Sequence, residues 1–293
     1  MDRAASGWIN GFIGVVIFSG SLPATRVAVL QFDPIFLTVA RAAIAGLLGL
    51  CLLVAFKEKR PQRGDIGSLV IVALGVVVGF PLLTALALQH ITSARSIVFI
   101  GLLPLSTAIF GVVRGGERPK LPFWLFSALG SVLVAGFAVM QGLTASPVGD
   151  ALMLAAIIAC GLGYAEGAKL SRTLGGWQVI SWALVLSLPV MIALSIFTMP
   201  ATFSGIELPA WLCLAYVSLF SMLIGFVFWY RGLAQGGIAA VGQLQLLQPF
   251  FGLALAATLL REPVTWTMLA VTVAVILCVV RARRFAHADR GAT

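Results

Sequence analysis

Ten apolar stretches, each long enough to cross a bilayer, run along this chain of 293 residues, at approximately 8–30, 34–56, 66–88, 94–113, 122–141, 149–173, 177–199, 209–232, 238–260 and 264–281. A span needs about 20 mainly apolar residues. Inside hydrocarbon each must satisfy its own backbone hydrogen bonds, which a helix does within one segment. The pattern predicts an all-α integral membrane protein with ten transmembrane helices, short loops and no appended soluble domain. The first stretch has the basic start of a secretion signal. Its apolar run exceeds the h-region of about 7–15 residues, so it is read as a helix that stays.

The stretches divide into two sets of five, residues 1–145 and 146–293, expected to form one transmembrane domain together. Counterparts stand 145 positions apart: Ala94 with Ala239, Pro104 with Pro249, Glu117 with Glu262. Five is odd, so the second half is expected upside down relative to the first. Segment 86–117 against 231–262 holds only five identities in 32 positions, so the weight lies in which residues match. Inverted repeats frame the central site of secondary carriers and let the halves open to either side in turn. Spans 4 and 9, with partners 3 and 8, are the expected moving parts.

Charge placement answers the question raised by a net charge of +9. With the N-terminus inside, fifteen of the 19 Lys and Arg fall inside, and Arg26, Arg41, Arg95 and Arg261 fall outside or toward the outer end of a helix. That bias sets both termini in the cytoplasm and removes nucleic acid as a partner. Only 10% of residues are charged, against about 25% in soluble domains. The absence of organelle-targeting features favours a bacterial inner membrane. Cys51, Cys160, Cys213 and Cys278 lie within spans without C-x-x-C spacing and read as apolar fillers. Two histidines, one of them His287 in the tail, cannot assemble a metal site. No P-loop and no catalytic constellation is present, so no cofactor and no enzymatic activity are expected.

Proline in mid-helix removes a hydrogen bond and clashes with the preceding turn. Pro104 and Pro249, at equivalent depth, therefore read as hinges whose freed carbonyls face a cavity, with a packing kink as the plain alternative. Pro81 marks span 3 in the same way. Glu117 and Glu262 each precede the next span, with Pro119 or Pro263 close behind, and read as caps at the positive end of that following helix. The spacings Gly7/Gly11, Gly75/Gly79 and Gly163/Gly167 permit close helix approach, although 31 glycines produce such spacings by chance.

An ionisable group inside a span costs about 2.5–3.5 kcal/mol on insertion scales. Glu166 is the most interior acid; it either meets substrate or a proton, or pairs with Lys169 three residues on. Unpaired, it is the proton-coupling candidate. Arg41 either pairs with Asp33, snorkels to the interface or takes part in function. Arg26 reads as an interfacial anchor or a carboxylate clamp, and His90 as a loop residue or a relay. Gln245 and Gln248 share a face just before Pro249, where span 4 has Ile100 and Leu103. They bond to another helix or line a cavity; Gln243 points elsewhere. Phe80 and Thr84 share a face of span 3, and Tyr164 lies near Glu166. Phe80, Thr84, Leu103, Pro104, Tyr164, Glu166, Gln245 and Gln248 thus form the candidate substrate site, suited to a modest neutral or zwitterionic solute. Trp8, Trp124, Trp177, Trp211, Trp229 and Trp266 fall near span ends, as an aromatic belt does.

Ten spans, the five-plus-five repeat and the strings ITSARSIVFIGLLPLSTAIFGVVRGGERP and GIAAVGQLQLLQPFFGLALAATLLREP resemble the drug/metabolite transporter superfamily, in particular its EamA-like ten-helix exporters. Arg41 followed by small apolar residues fits the same pattern. The resemblance covers essentially the whole chain. It implies export of amino acids or other small metabolites through a cavity lined mainly by spans 1, 3, 4, 6, 8 and 9. The expected protein is a secondary carrier whose partners are its small-molecule substrate and the lipid bilayer. A drug exporter and a channel-like pore are the alternatives.

Overall fold

In a computed structural model the described residues are 3–91, 96, 99–140, 146–260 and 266–286. Ala94, Arg95, Arg261, Glu262, Pro263, His287 and Arg290, which carry several of the expectations above, lie outside them. No strand occurs among the described residues. The helices are α1 (Ala4–Val29), α2 (Pro34–Ala55), α3 (Arg63–His90), α4 (Leu103–Gly115), α5 (Leu121–Met140), α6 (Pro147–Ser171), α7 (Gly176–Phe197) and α8 (Leu208–Gly236). Then come α9, residues 238–260, and α10 (Trp266–Phe285). Six of them, α1, α2, α3, α6, α7 and α8, are long and apolar enough to cross a membrane. Exposed Leu125, Leu129 and Val132 on α5, and Val273, Ile276 and Val280 on α10, present the apolar surface that lipid requires.

Helices that share an apolar solvent with lipid gain little from hydrophobicity alone and associate through close packing. The glycines supply it. A Cβ added at Gly7 of α1 would enter α8 at Gly236, one at Gly232 of α8 would enter α1 at Gly11, and one at Gly75 of α3 would enter α6 at Gly163. Pairing follows accordingly: α1 with α8, α3 and α4 with α6, α2 with α7, α5 with α10.

Both α3 and α8 carry a π-helical stretch, Ala73–Gly79 and Val217–Ile224. Their starts stand 144 residues apart and their ends 145 apart. In α3 the stretch ends just before Pro81, whose missing N–H could not have continued an α-helical ladder.

The prolines of α4 and α9 correct an expectation. Neither stands within a continuous helix. Leu103–Gly115 starts one residue before Pro104, after a turn at Gly101 and Leu102. In α9, Ile238–Gly242 gives way to a 3-10 stretch, Gln243–Leu247, and a fresh α-helix, Gln248–Leu260, starts one residue before Pro249. In the first turn of a helix the proline has no N–H to waste, so each proline opens a helix after a break rather than kinking one. The two fresh helices have 13 residues each and start 145 apart.

Candidate functional site

A cavity of about 50 Å³ lies among seven helices. Phe18, Ser21 and Thr25 come from α1, Arg41 from α2, Val76, Phe80, Pro81 and Thr84 from α3. Leu103 of α4, Tyr164 of α6, Ser221 and Phe226 of α8 and Gln248 of α9 complete the wall. The residues flanking the breaks therefore converge here: Phe80 and Phe226 follow the π stretches, and Leu103 and Gln248 begin the fresh helices. At ~10–15 Å³ per water the space holds a few waters. It is well short of the ~300–1,000 Å³ of a ligand pocket, so the described state is a constricted one.

Of the residues expected at the site, Phe80, Thr84, Leu103, Tyr164 and Gln248 are brought together, joined by Pro81. Gln248 is anchored by donating from Nε2 to the Phe18 carbonyl at 3.4 Å. Gln245 is buried behind the wall, beside Tyr164, where the Thr107 hydroxyl donates to it at 3.5 Å. Pro104 and Glu166 also lie off the wall. Gln243 is fully buried with both amide atoms unpartnered among the described residues. Arg26 and His90 are exposed.

Sequence reasoning missed Arg41 as a cavity residue. Asp33 is occupied as the N-cap of α2, accepting from the backbone N–H groups of Ile35 and Phe36 at 2.8 and 3.0 Å. Arg41, two turns further on, does not reach it. Its side chain does not snorkel either: the residue is only 8% exposed, and Nε has no partner among the described residues. Trp229 is a second miss. It is fully buried rather than belted at an interface, with its ring 5.4 Å from that of Tyr164 and 6.1 Å from that of Phe18.

One end of the bundle is tied shut by contacts between residues of the first and second halves. The Arg114 guanidinium donates from Nε to Glu166 at 2.7 Å, and the Ser68 hydroxyl donates to the other Glu166 oxygen at 2.6 Å. Glu166 is thus paired with α4 and α3, not with Lys169 as one sequence reading had it. Beside this cluster, Glu117 accepts from the backbone N–H groups of Ile238 and Ala239 at 2.6 and 2.7 Å. Arg172 approaches the same carboxylate at 3.5 Å. The cap expected for the next helix, α5, is therefore placed on α9 instead. The reason is geometric: the left-handed turn at Gly116 (φ 68°) swings the chain back, and Gly111 and Gly115 leave room for the Ile238 side chain against α4. Among the described residues no group of three or more His, Cys, Asp or Glu could hold a metal ion.

Comparison with known proteins sets this geometry in context. The model of the EamA-like transporter family matches the chain twice, over residues 5–139 and 147–281. The uncharacterized transporter YdeK of Bacillus subtilis (strain 168) is 71% identical over 286 residues, covering 98% of this chain and all of that one. An uncharacterized transporter of Archaeoglobus fulgidus is 24% identical over 85% of this chain and 87% of its own length. One solved crystal structure superposes with a TM-score of 0.78 over 97% of this chain and 99% of that one; at 17% identity the likeness is of fold.

Proposed function

Since the chain belongs to the EamA-like transporter family and is an integral membrane protein, we propose that it is a secondary carrier exporting amino acids or similar small metabolites by alternating access. The observation that carries this reading is a cavity formed by helices of both halves, closed at one end by bonds that all run between the halves. Arg114 with Glu166 and Glu117 with Ile238 are bonds of that kind. A constricted cavity of about 50 Å³ must widen to take a metabolite, and a latch made of a few polar contacts is a two-state element that permits it.

In this reading ten spans form two inverted five-helix halves, with both termini in the cytoplasm. The closed end, rich in basic residues, is the cytoplasmic one. Support for two related halves comes from the doubled family match and from helix pairing. Exchanging the halves turns the α1–α8 contact into α6–α3 and maps α2–α7 and α5–α10 onto themselves. The π stretches recur at an offset of 144 to 145 residues and the proline-opened helices at 145. Pro81, Pro104 and Pro249, beside helix breaks, are the hinge residues. Opening the cytoplasmic end separates Glu166 from Arg114 and frees a carboxylate, which keeps Glu166 as the residue through which a proton would couple to export.

Counterflow in proteoliposomes tests the proposal. With unlabelled amino acids inside and one labelled solute outside, a carrier gives transient, saturable accumulation. Flux that neither saturates nor shows counterflow would replace the carrier with a pore. Accumulation only of drug-like solutes would move the substrate away from amino acids.

A further inference from the structure

We propose that the cavity is an anion receptor, and that the solute it takes is a small organic monoanion, a carboxylate on an apolar or aromatic body, bound by Arg41 and Thr84. The inference rests on the reading of this cavity as the transport site, and among the solutes of that reading it selects small carboxylate metabolites over free amino acids. Among the described residues, Arg41 is the one charged residue on this wall, and none of them there is a carboxylate. A buried guanidinium is costly unless it is paired and hydrogen-bonded. Among the described residues no protein group supplies the pair: Nε lacks a partner, and Asp33 is committed to its helix cap.

Thr84 makes the case independently. Its hydroxyl is buried (4% exposed) and without a partner, and it faces the same space. Among the described residues, Arg41 Nε and Thr84 Oγ1 are the two buried unpartnered polar side-chain atoms on this wall. Guanidinium and hydroxyl are both donors, the pair a carboxylate accepts from. The neighbouring hydroxyls of Ser21 and Ser221 are bonded to each other at 2.7 Å.

Most of the remaining wall is aromatic and aliphatic, from Phe18, Phe80 and Phe226 among others, which suits an apolar body. Among the described residues nothing there offers an ammonium group a charged acceptor. The wall therefore favours a monoanion over the zwitterion of a free amino acid.

The test is binding to the purified full chain, read by quenching of intrinsic tryptophan fluorescence, since Trp229 borders this wall through Tyr164 and Phe18. The probes share one body: 3-phenylpropanoate, 3-phenylpropanol, 3-phenylpropylamine and phenylalanine. The expected order has the carboxylate tightest, by about tenfold or more over the alcohol, as a charge-assisted bond gives. Arg41→Gln removes that advantage, Arg41→Lys keeps part of it, and Thr84→Val reduces it several-fold. Equal binding of carboxylate and alcohol to the native chain would overturn the assignment. So would a carboxylate advantage that survives in folded Arg41→Gln; should that variant not fold, Thr84→Val decides on the same terms.

Acetate and chloride separate an organic solute from an inorganic counter-ion: either one competing as well as 3-phenylpropanoate would overturn the organic-anion class. Counterflow distinguishes this inference from the transport reading beneath it. Saturable counterflow of phenylalanine with no carboxylate preference contradicts the inference alone, whereas no counterflow with any probe contradicts both.

Discussion

The backbone N–H of Ile238 donates a 2.6 Å hydrogen bond to the carboxylate of Glu117, 121 residues earlier in the chain. A helix leaves its first N–H groups without partners, and here the residue that satisfies two of them comes from beyond the end of α4. The bond thus fastens the start of one broken helix to the end of the other.

Replacing this cap should loosen that end. Glu117→Ala is expected to lower stability by about 1 kcal/mol, as loss of a helix cap does, read as a reduced unfolding free energy in detergent. Glu117→Gln, whose amide oxygen still accepts, should lose less. Equal stability of Glu117→Ala and the native chain would remove the latch role.

The Arg114–Glu166 pair is asymmetric in exposure: the Glu166 side chain is fully buried, the Arg114 side chain 40% exposed. Removing the cation alone strands a buried carboxylate, a penalty larger than the ~1–3 kcal/mol of an unsatisfied neutral group. Arg114→Gln should therefore be more destabilising than the Arg114→Gln/Glu166→Gln double variant. A double variant that is no better than Arg114→Gln would contradict the pairing.

Close approach of α1 and α8 gives a third expectation. A Cβ at Gly232 would stand 2.5 Å from the Gly11 nitrogen and 2.8 Å from its Cα, so backbone must yield. Gly232→Ala should cost about 1–3 kcal/mol, the range for overpacking. Gly136→Ala, with nothing within 4 Å of the new carbon, should be nearly neutral. Equal effects at the two sites would mean that the contact does not hold α1 to α8.

Local spacing made several features legible. Phe80 with Thr84 could be placed on one face because helical neighbours are set by chain periodicity; of Gln245 and Gln248, given one face on the same ground, only Gln248 reaches the wall. The sequence leaves Arg41 open between Asp33, the interface and a functional role because Asp33 looks like a free partner. The corrective signal was present: an Asp directly before a proline that starts a helix is an N-cap, and a capping carboxylate is already occupied. The partners of Glu117 and Glu166 were not legible, since 121 and 52 residues separate Glu117 from Ile238 and Arg114 from Glu166. Which helices meet depends on glycine surfaces distributed over the whole chain. Trp229 misled for a related reason: distance from a span end does not reveal that α8 lies buried against α1 and α6 there.

The central claim is that one cavity reaches both sides of the membrane in turn. The most direct measurement is modification of Thr84→Cys, with Cys51, Cys160, Cys213 and Cys278 replaced by alanine, in oriented proteoliposomes. The anionic reagent methanethiosulfonate-ethylsulfonate is added to one face at a time. Alternating access predicts modification from either face, slowed by transported solute, with Arg114→Gln raising the rate from the basic end. Modification from one face only, unchanged by Arg114→Gln, would contradict it.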